Sequence, residues 1–292
     1  MRTGFGRWHY ASWESRNERR PSRRIHRPRR PGCADSCCDR RQVDLHVWAR
    51  RAVSFDALGN ARHIREADPV ELAANVDLLC LCLRGDSDLH DLLAYRSLLQ
   101  ALGKGATIVN HATGDPAKAE NFERITEELG VHFLDAPVSS GRPGAEARSL
   151  TCFVGGHAEA LDASRTVIEC HSTHIVSMGP VGSGQMAKLC NNALTVSNLR
   201  NIVEVFAMAE KLGVSLAGLR DAFDQSSGGS FILQALGTKV TVGNAAHIAE
   251  LNRTDVDEFA AAMRRKGVDP TAVQEWAIKG PDGLEALVQR LQ

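Results

Sequence analysis

A doubly wound α/β domain followed by an all-helical domain is what this 292-residue sequence predicts, and three observations carry the prediction. From Asp44 onward, short apolar runs alternate with helical patterns, as they do when parallel strands are joined by crossover helices. Beyond Gly184 the strand pattern stops and only helical periodicity remains. The length suits two domains, each able to bury its own core, since domains run to roughly 100–200 residues.

Residues 1–42 stand apart from the rest. They hold twelve arginines and no lysine, with neither a twofold nor a 3.6-residue period. An aberrant or disordered basic segment is expected there in place of a first strand–helix unit, either a true extension or the product of a shifted reading frame. Arginine runs without interleaved aromatic residues or a fold are weak evidence for a nucleic-acid arm.

The first domain is expected over residues 43–180, with strands at Leu45–Trp48, Leu78–Leu83, Thr107–Val109, His132–Leu134 and Thr151–Val154. After the strand ending at Asn110, Asp115-Pro116 sets a capping carboxylate before a proline. At the first helical position the missing N–H of proline costs nothing, so a helix starts there. The second domain is expected over residues 181–292. Met186, Leu189, Cys190, Ala193, Val196, Val203, Phe206 and Leu212 recur at spacings of three, four and seven. They predict one helix from near Gln185 to Leu212, about 40 Å long, that stops at Gly213. Further amphipathic stretches follow at Leu216–Gln225, Asn244–Leu251, Asp255–Lys266, Pro270–Ala277 and Leu284–Leu291.

Charge and cysteine usage bound the function. Lys plus Arg and Asp plus Glu number 35 each, so no global field draws in nucleic acid or an acidic membrane surface. A small-molecule partner is expected. The eight cysteines, several of them in apolar runs, read as free thiols in a reducing compartment. No apolar run approaches the roughly 18–20 residues of a membrane span, and no apolar signal core opens the chain. A cytoplasmic protein is the expectation. No metal site is expected, because Cys37-Cys38 and Cys80-x-Cys82 lack partners at zinc-site spacing.

Two segments carry the chemistry. Phe133-Leu-Asp-Ala-Pro-Val-Ser-Ser-Gly-Arg-Pro-Gly144 leaves a buried strand and turns, and the small side chains of Ser139, Ser140 and Gly141 let a carboxylate approach backbone N–H groups and a hydroxyl. About 40 residues on, Gly182-Ser-Gly184 is followed by Lys188, Asn191 and Asn192 on the first turns of the long helix. At spacings of three and four these side chains share a face. A desolvated lysine can exchange a proton with a hydroxyl near neutral pH while an amide orients that oxygen, which is the chemistry of alcohol oxidation when a hydride acceptor is at hand.

These segments resemble the substrate loop and catalytic helix of the β-hydroxyacid dehydrogenases, the family of 3-hydroxyisobutyrate dehydrogenase, tartronate semialdehyde reductase and the decarboxylating 6-phosphogluconate dehydrogenases. The resemblance covers roughly residues 44–242. It implies a Rossmann-like first domain, a helical domain for substrate and subunit contacts, and a homodimer or homotetramer. It implies NAD(P)-dependent oxidation of a small hydroxyacid, or reduction of the semialdehyde. Lys188 is then the general acid/base, with Ser139, Ser140, Gly141, Asn191 and Asn192 at the substrate. Arg50, Arg51, Leu83, Thr113 and Asp255 fall at cofactor positions, where the two arginines favour a 2′-phosphate and thus NADP over NAD.

The sequence departs from the family pattern in four places. The glycine fingerprint that brings a helix N-terminus onto the pyrophosphate is missing. Ser140 stands where a glycine is usual, Arg148-Ser149-Leu150 replaces Gly-Thr-Leu, and Thr254 replaces the lysine of a Lys-Asp pair. A catalytically impaired, ligand-binding family member is therefore one alternative. An imine reductase-like enzyme is another, though such enzymes usually lack the lysine.

Overall fold

The computed structural model describes residues 10–14, 44–49, 52–58, 62–83, 85–94 and 96–291. The positions of Arg50 and Arg51, and of nearly all the Arg-rich segment, lie outside them.

Among the described residues nine strands form one sheet: β1 (Tyr10–Glu14), β2 (Asp44–Trp48), β3 (Ile64–Arg65), β4 (Leu78–Leu81), β5 (Thr107–Asn110), β6 (His132–Asp135), β7 (Val138–Ser139), β8 (Leu150–Gly155) and β9 (Ser172–Gly179). Their order is β3-β2-β1-β4-β5-β6-β8-β7, with β9 also on β8. The centre is parallel, β4 with β5 and β5 with β6, as the alternating sequence pattern requires. The sheet is nevertheless mixed, because β8 runs antiparallel to β6 and β7. The connection fits this: the 14 residues between β6 and β8 are taken up by β7, itself antiparallel to β8, and by a short helix rather than by a full crossover helix. The expectation of no structure in residues 1–42 is corrected at one place. β1 lies between β2 and β4 and is antiparallel to both.

The α-helices described in the sheet domain are α1 (Pro69–Ala74), α2 (Asp86–Ala94), α3 (Arg96–Ala101), α4 (Pro116–Glu127), α5 (Gly141–Glu146) and α6 (Ala158–Ile168). Asp115 caps α4 as its sequence predicts, its side chain accepting from the Ala117 N–H at 3.0 Å with Pro116 at the first position. Successive strand residues go to opposite cores. Leu79, Leu81, Ile108 and Phe133 join one apolar cluster with the residues of α1 to α4. Leu78, Cys80, Val109 and Leu134 join the other with Ala160, Leu161, Val167 and Ile168 of α6. Both faces are covered, the defining property of a doubly wound sheet.

The chain divides into two compact units, Met1–Gln185 and Met186–Gln292. The division falls inside the long helix α7 (Ser183–Lys211), a few residues beyond the 180/181 boundary read from the sequence. Gly213, with φ of +74°, follows its C-terminus. The second unit continues with α8 (Leu216–Asp224), α9 (Phe231–Ala235), α10 (Ala245–Arg265), α11 (Thr271–Ala277) and α12 (Leu284–Arg290). The sequence predicts two helices where α10 is one. Asn252 interrupts the apolar pattern, yet it is a buried core position in line with Ala245, Ala249, Val256 and Phe259, so a polar residue on the buried stripe hides the continuity. Among the described residues no helix is long and apolar enough to cross a membrane.

Candidate active site

The start of α7 is held by a carboxylate that the sequence reading passed over. Asp135, fully buried at the end of β6, accepts from the Gly182 N–H at 2.9 Å and from the Gln185 N–H at 2.7 Å. The first N–H groups of a helix have no partner within it, and an anion there is favoured by the helix dipole. Burial still dominates and pushes the Asp135 carboxyl up to about 6, against the pull of its backbone donors. The Gly-Ser-Gly motif has a steric reason. A Cβ at Gly184 would lie 2.5 Å from the Asp135 carbonyl oxygen and 2.6 Å from that of Phe153, so only glycine lets the helix start this close to the sheet.

One turn further along α7, in the second unit, are the predicted catalytic residues. Lys188 is half-buried, and burial draws its amine below its ordinary pKa, with Asp255 of α10 pulling partly the other way. Asp255 is drawn up by burial, opposed by Lys188 and by a hydrogen bond from Asn192. Burial wins over mutual attraction at both ends, so both groups are biased toward their neutral forms. The Asn192 Nδ2 donates to Asp255 Oδ1 at 2.9 Å, and the Asn191 amide reaches Asn192 Oδ1 at 3.4 Å. The structure thus brings Lys188, Asn191, Asn192 and Asp255 into one group. Arg253, one residue out of register with the missing lysine, turns away and pairs with Asp282 at 2.7 Å.

The predicted substrate loop lies in the first unit. Ser139 is the last residue of β7, Ser140 immediately precedes α5, and Gly141 opens that helix. Ser140 adopts φ of +90° and Arg148 φ of +53°, the only non-glycine residues of positive φ among those described. They stand where the family pattern has glycine. The chain therefore keeps the backbone course of the loop while carrying side chains that disfavour it.

At the carboxyl ends of β4 and β5 lie two predicted cofactor residues. Leu83 packs on the apolar cluster that contains Leu81 and Leu89. Thr113 sits in the loop between β5 and α4. The adjoining His111 donates from Nδ1 to the Ala136 carbonyl oxygen at 2.8 Å and meets the His171 ring edge to face at 4.8 Å. Burial lowers the pKa of both imidazoles, that of His171 to about 3. Elsewhere on this unit His157 Nε2 approaches Glu123 at 3.7 Å and Glu127 at 3.5 Å. These three could hold an ion, but their exposure fits an ordinary surface ion-pair patch of small energetic weight.

Two family models match the chain. The NAD-binding domain of 6-phosphogluconate dehydrogenase matches residues 36–179, and the NAD-binding domain of NADP-dependent 3-hydroxyisobutyrate dehydrogenase matches residues 182–271. The chain belongs to the β-hydroxyacid dehydrogenase family. Members of that family bind NAD(P) through these domains. Among curated relatives, an NAD-dependent L-serine dehydrogenase from Pseudomonas aeruginosa is 36% identical over 137 residues, 47% of this chain and 46% of the relative. The chain spans about half the length of the curated relatives it matches. A solved 3-hydroxyisobutyrate dehydrogenase of Mycobacterium tuberculosis with L-serine shares the fold at a TM-score of 0.69 and 23% identity, covering 83% of this chain and 89% of that one. A solved complex of Psf3 with NADP+ and 2-OPP shares it at 0.70 and 22% identity, over 87% and 93%.

The described residues of this β-hydroxyacid dehydrogenase family member fit a dinucleotide at the ends of β4 and β5, where Thr113 engages in no hydrogen bond among them. The pyrophosphate cradle has no glycine motif in the sequence. Asp135 and Gln185 escaped the sequence reading because each acts through contacts tens of residues away. The one available signal was an acidic residue at the end of an otherwise apolar strand, where a buried charge demands donors.

Proposed function

We propose that the chain oxidises the CH–OH group of a small β-hydroxyacid of the 3-hydroxyisobutyrate kind with NADP or NAD, or reduces the corresponding semialdehyde. The observation that carries this reading is the group formed by Lys188, Asp255 and Asn192. A bound nicotinamide supplies or takes up the hydride at its C4. In oxidation the neutral Lys188 amine takes the hydroxyl proton; in reduction the ammonium returns it. Asn192 commits one amide N–H to Asp255, which fixes its plane and leaves the other N–H for the reacting oxygen. Ser139, Ser140 and Gly141 take the substrate carboxylate, with Asn191 as a further donor. Thr113, Leu83 and Asp255 fall at cofactor positions, and Arg50 and Arg51 favour NADP. A homodimer or homotetramer is part of the same proposal.

Purified chain supplied with NADP+ or NAD+ and a panel including 3-hydroxyisobutyrate and L-serine should form reduced nicotinamide, read by absorbance. Lys188→Ala should lower kcat by about 100-fold or more with dinucleotide affinity unchanged. A variant as active as the parent would sink the assignment and favour the imine reductase-like reading. The missing glycine fingerprint supports a second reading, a catalytically impaired member that binds ligand. Absence of saturable dinucleotide binding at millimolar concentration would favour it, and saturable binding with turnover would rule it out.

A further inference from the structure

Gln185 is almost fully buried on the first turn of α7, and all of its polar groups are engaged. Its Nε2 donates to the Ala112 carbonyl oxygen at 2.7 Å, its Oε1 accepts from the Gly114 N–H at 2.8 Å, and its backbone N–H donates to Asp135 at 2.7 Å. A primary amide is the side chain that suits this place, since the loop offers one carbonyl and one N–H and an amide meets both.

The rest of that loop is pinned as well. The Ala112 N–H donates to Asn110 Oδ1 at 3.1 Å, and the Asp115 N–H donates to Asp86 Oδ2 at 2.9 Å. Asp86 is packed so closely that a Cβ on Gly114 would lie 2.0 Å from its carboxylate oxygen. From 112 to 115, side chains therefore hold the backbone on both sides of Thr113. The N–H, carbonyl and hydroxyl of Thr113 enter no hydrogen bond among the described residues. The loop follows the carboxyl end of β5, the side on which a doubly wound sheet binds its ligand.

We propose that Gln185 is a positioning residue for dinucleotide binding: anchored by Asp135, it holds the 112–115 loop in the one conformation that presents Thr113 to the cofactor. The proposal rests on the dinucleotide reading above. A brace of this kind raises affinity without touching the ligand, because a loop that samples the competent form only part of the time weakens binding by that fraction.

The test uses the full-length chain and two readouts, NADPH titration and amide hydrogen exchange of the cofactor-free protein. Gln185→Met keeps the side-chain volume and removes both loop bonds. It should speed exchange at Gly114 and raise the NADPH Kd about tenfold, with the fold retained and the melting temperature lowered. Thr113→Val should weaken NADPH while leaving exchange at Gly114 as in the parent. If Gln185→Met does not fold, Gln185→Ser, whose short side chain reaches neither the Ala112 carbonyl nor the Gly114 N–H and leaves room for water, carries the same expectations. A parent that binds NADPH while the Gln185 variant binds within about twofold overturns the positioning role alone. A parent that saturates with neither NADPH nor NADH overturns the dinucleotide reading, and this proposal with it.

Discussion

Ser140 and Arg148 bracket the turn that joins β7 to β8, and both hold backbone angles that favour glycine. An L-residue in the left-handed region costs about 1 kcal/mol relative to glycine, less glycine's larger entropy in the unfolded chain. Ser140→Gly should therefore raise stability by about 1 kcal/mol or slightly less, read by denaturant unfolding. Destabilisation would mean that the hydroxyl makes a compensating bond. Asp255 lends itself to a pH experiment. Its carboxylate raises the Lys188 pKa, which burial lowers. Removing that charge in Asp255→Asn should lower the lysine pKa further, so the amine becomes a neutral base at lower pH. The rise of kcat/KM with pH for hydroxyacid oxidation should move to lower pH in this variant, and movement to higher pH would refute the coupling.

At the scale of elements, the structure joins α7 to the sheet through Asp135 and places the two histidines, His111 after β5 and His171 before β9, against one another. Both imidazoles have folded-state pKa values below their ordinary range, that of His171 at about 3, so as pH falls below 6.5 the unfolded chain takes up protons that the folded chain refuses. Stability from this source is complete above pH 6.5 and falls on acidification, by up to about 1.4 kcal/mol per pH unit for each histidine. Asp135 works in the opposite sense between its ordinary 3.8 and about 6, because there the folded chain holds the extra proton. Asp255 and Glu123, also raised by burial, act in the same sense as Asp135, so the histidine contribution is read as the difference between variant and parent. His171→Gln, whose amide can still reach Ser172, should flatten the fall of the urea midpoint between pH 6.5 and 4.5. An unchanged slope would show that the pair is not buried in solution.

Element types were legible wherever side-chain period matched burial. Leu78–Leu81 and Thr107–Asn110 are buried throughout and read as short apolar runs, while the buried stripe of α7 runs through Leu189, Ala193, Val196, Val203 and Phe206 as predicted but leaves the predicted Cys190 and Leu212 exposed. β7 and β3, two residues each, are too short to carry a period. β9 is exposed along most of its length, so it offers no apolar signal. Of the candidate site, Lys188, Asn191 and Asn192 could be read because helical spacing brings them together locally. Their junction with Asp255 needed α7 and α10 packed side by side.

For the whole molecule, the second unit leaves apolar side chains in water. Leu194, Val205, Met208 and Leu212 recur at spacings of eleven, three and four along α7, and Leu212 is 82% exposed. They lie along one side of the helix, with Asn198 and Asn201 between Leu194 and Val205, and clustered exposed apolar side chains are a mark of interaction surfaces. Within the proposed homo-oligomer, Met208→Glu with Leu212→Glu should shift sedimentation to a smaller species. A parent already monomeric at micromolar concentration would rule the oligomer out.

By itself the sequence determined the alternation of strand and helix, the switch to helices after Gly184, and the family motif at 182–192, because each is written in contacts at most a few residues apart. Only the tertiary structure decided that β1 and β8 make the sheet mixed, that Ser140 and Arg148 adopt glycine-like angles, that Asp135 and Gln185 hold the start of α7, and that Asp255 meets Asn192. The physical reason is sequence separation: Asp135 meets Gln185 across 50 residues and Asn192 meets Asp255 across 63, and local periodicity carries no record of which distant donor a buried carboxylate will find.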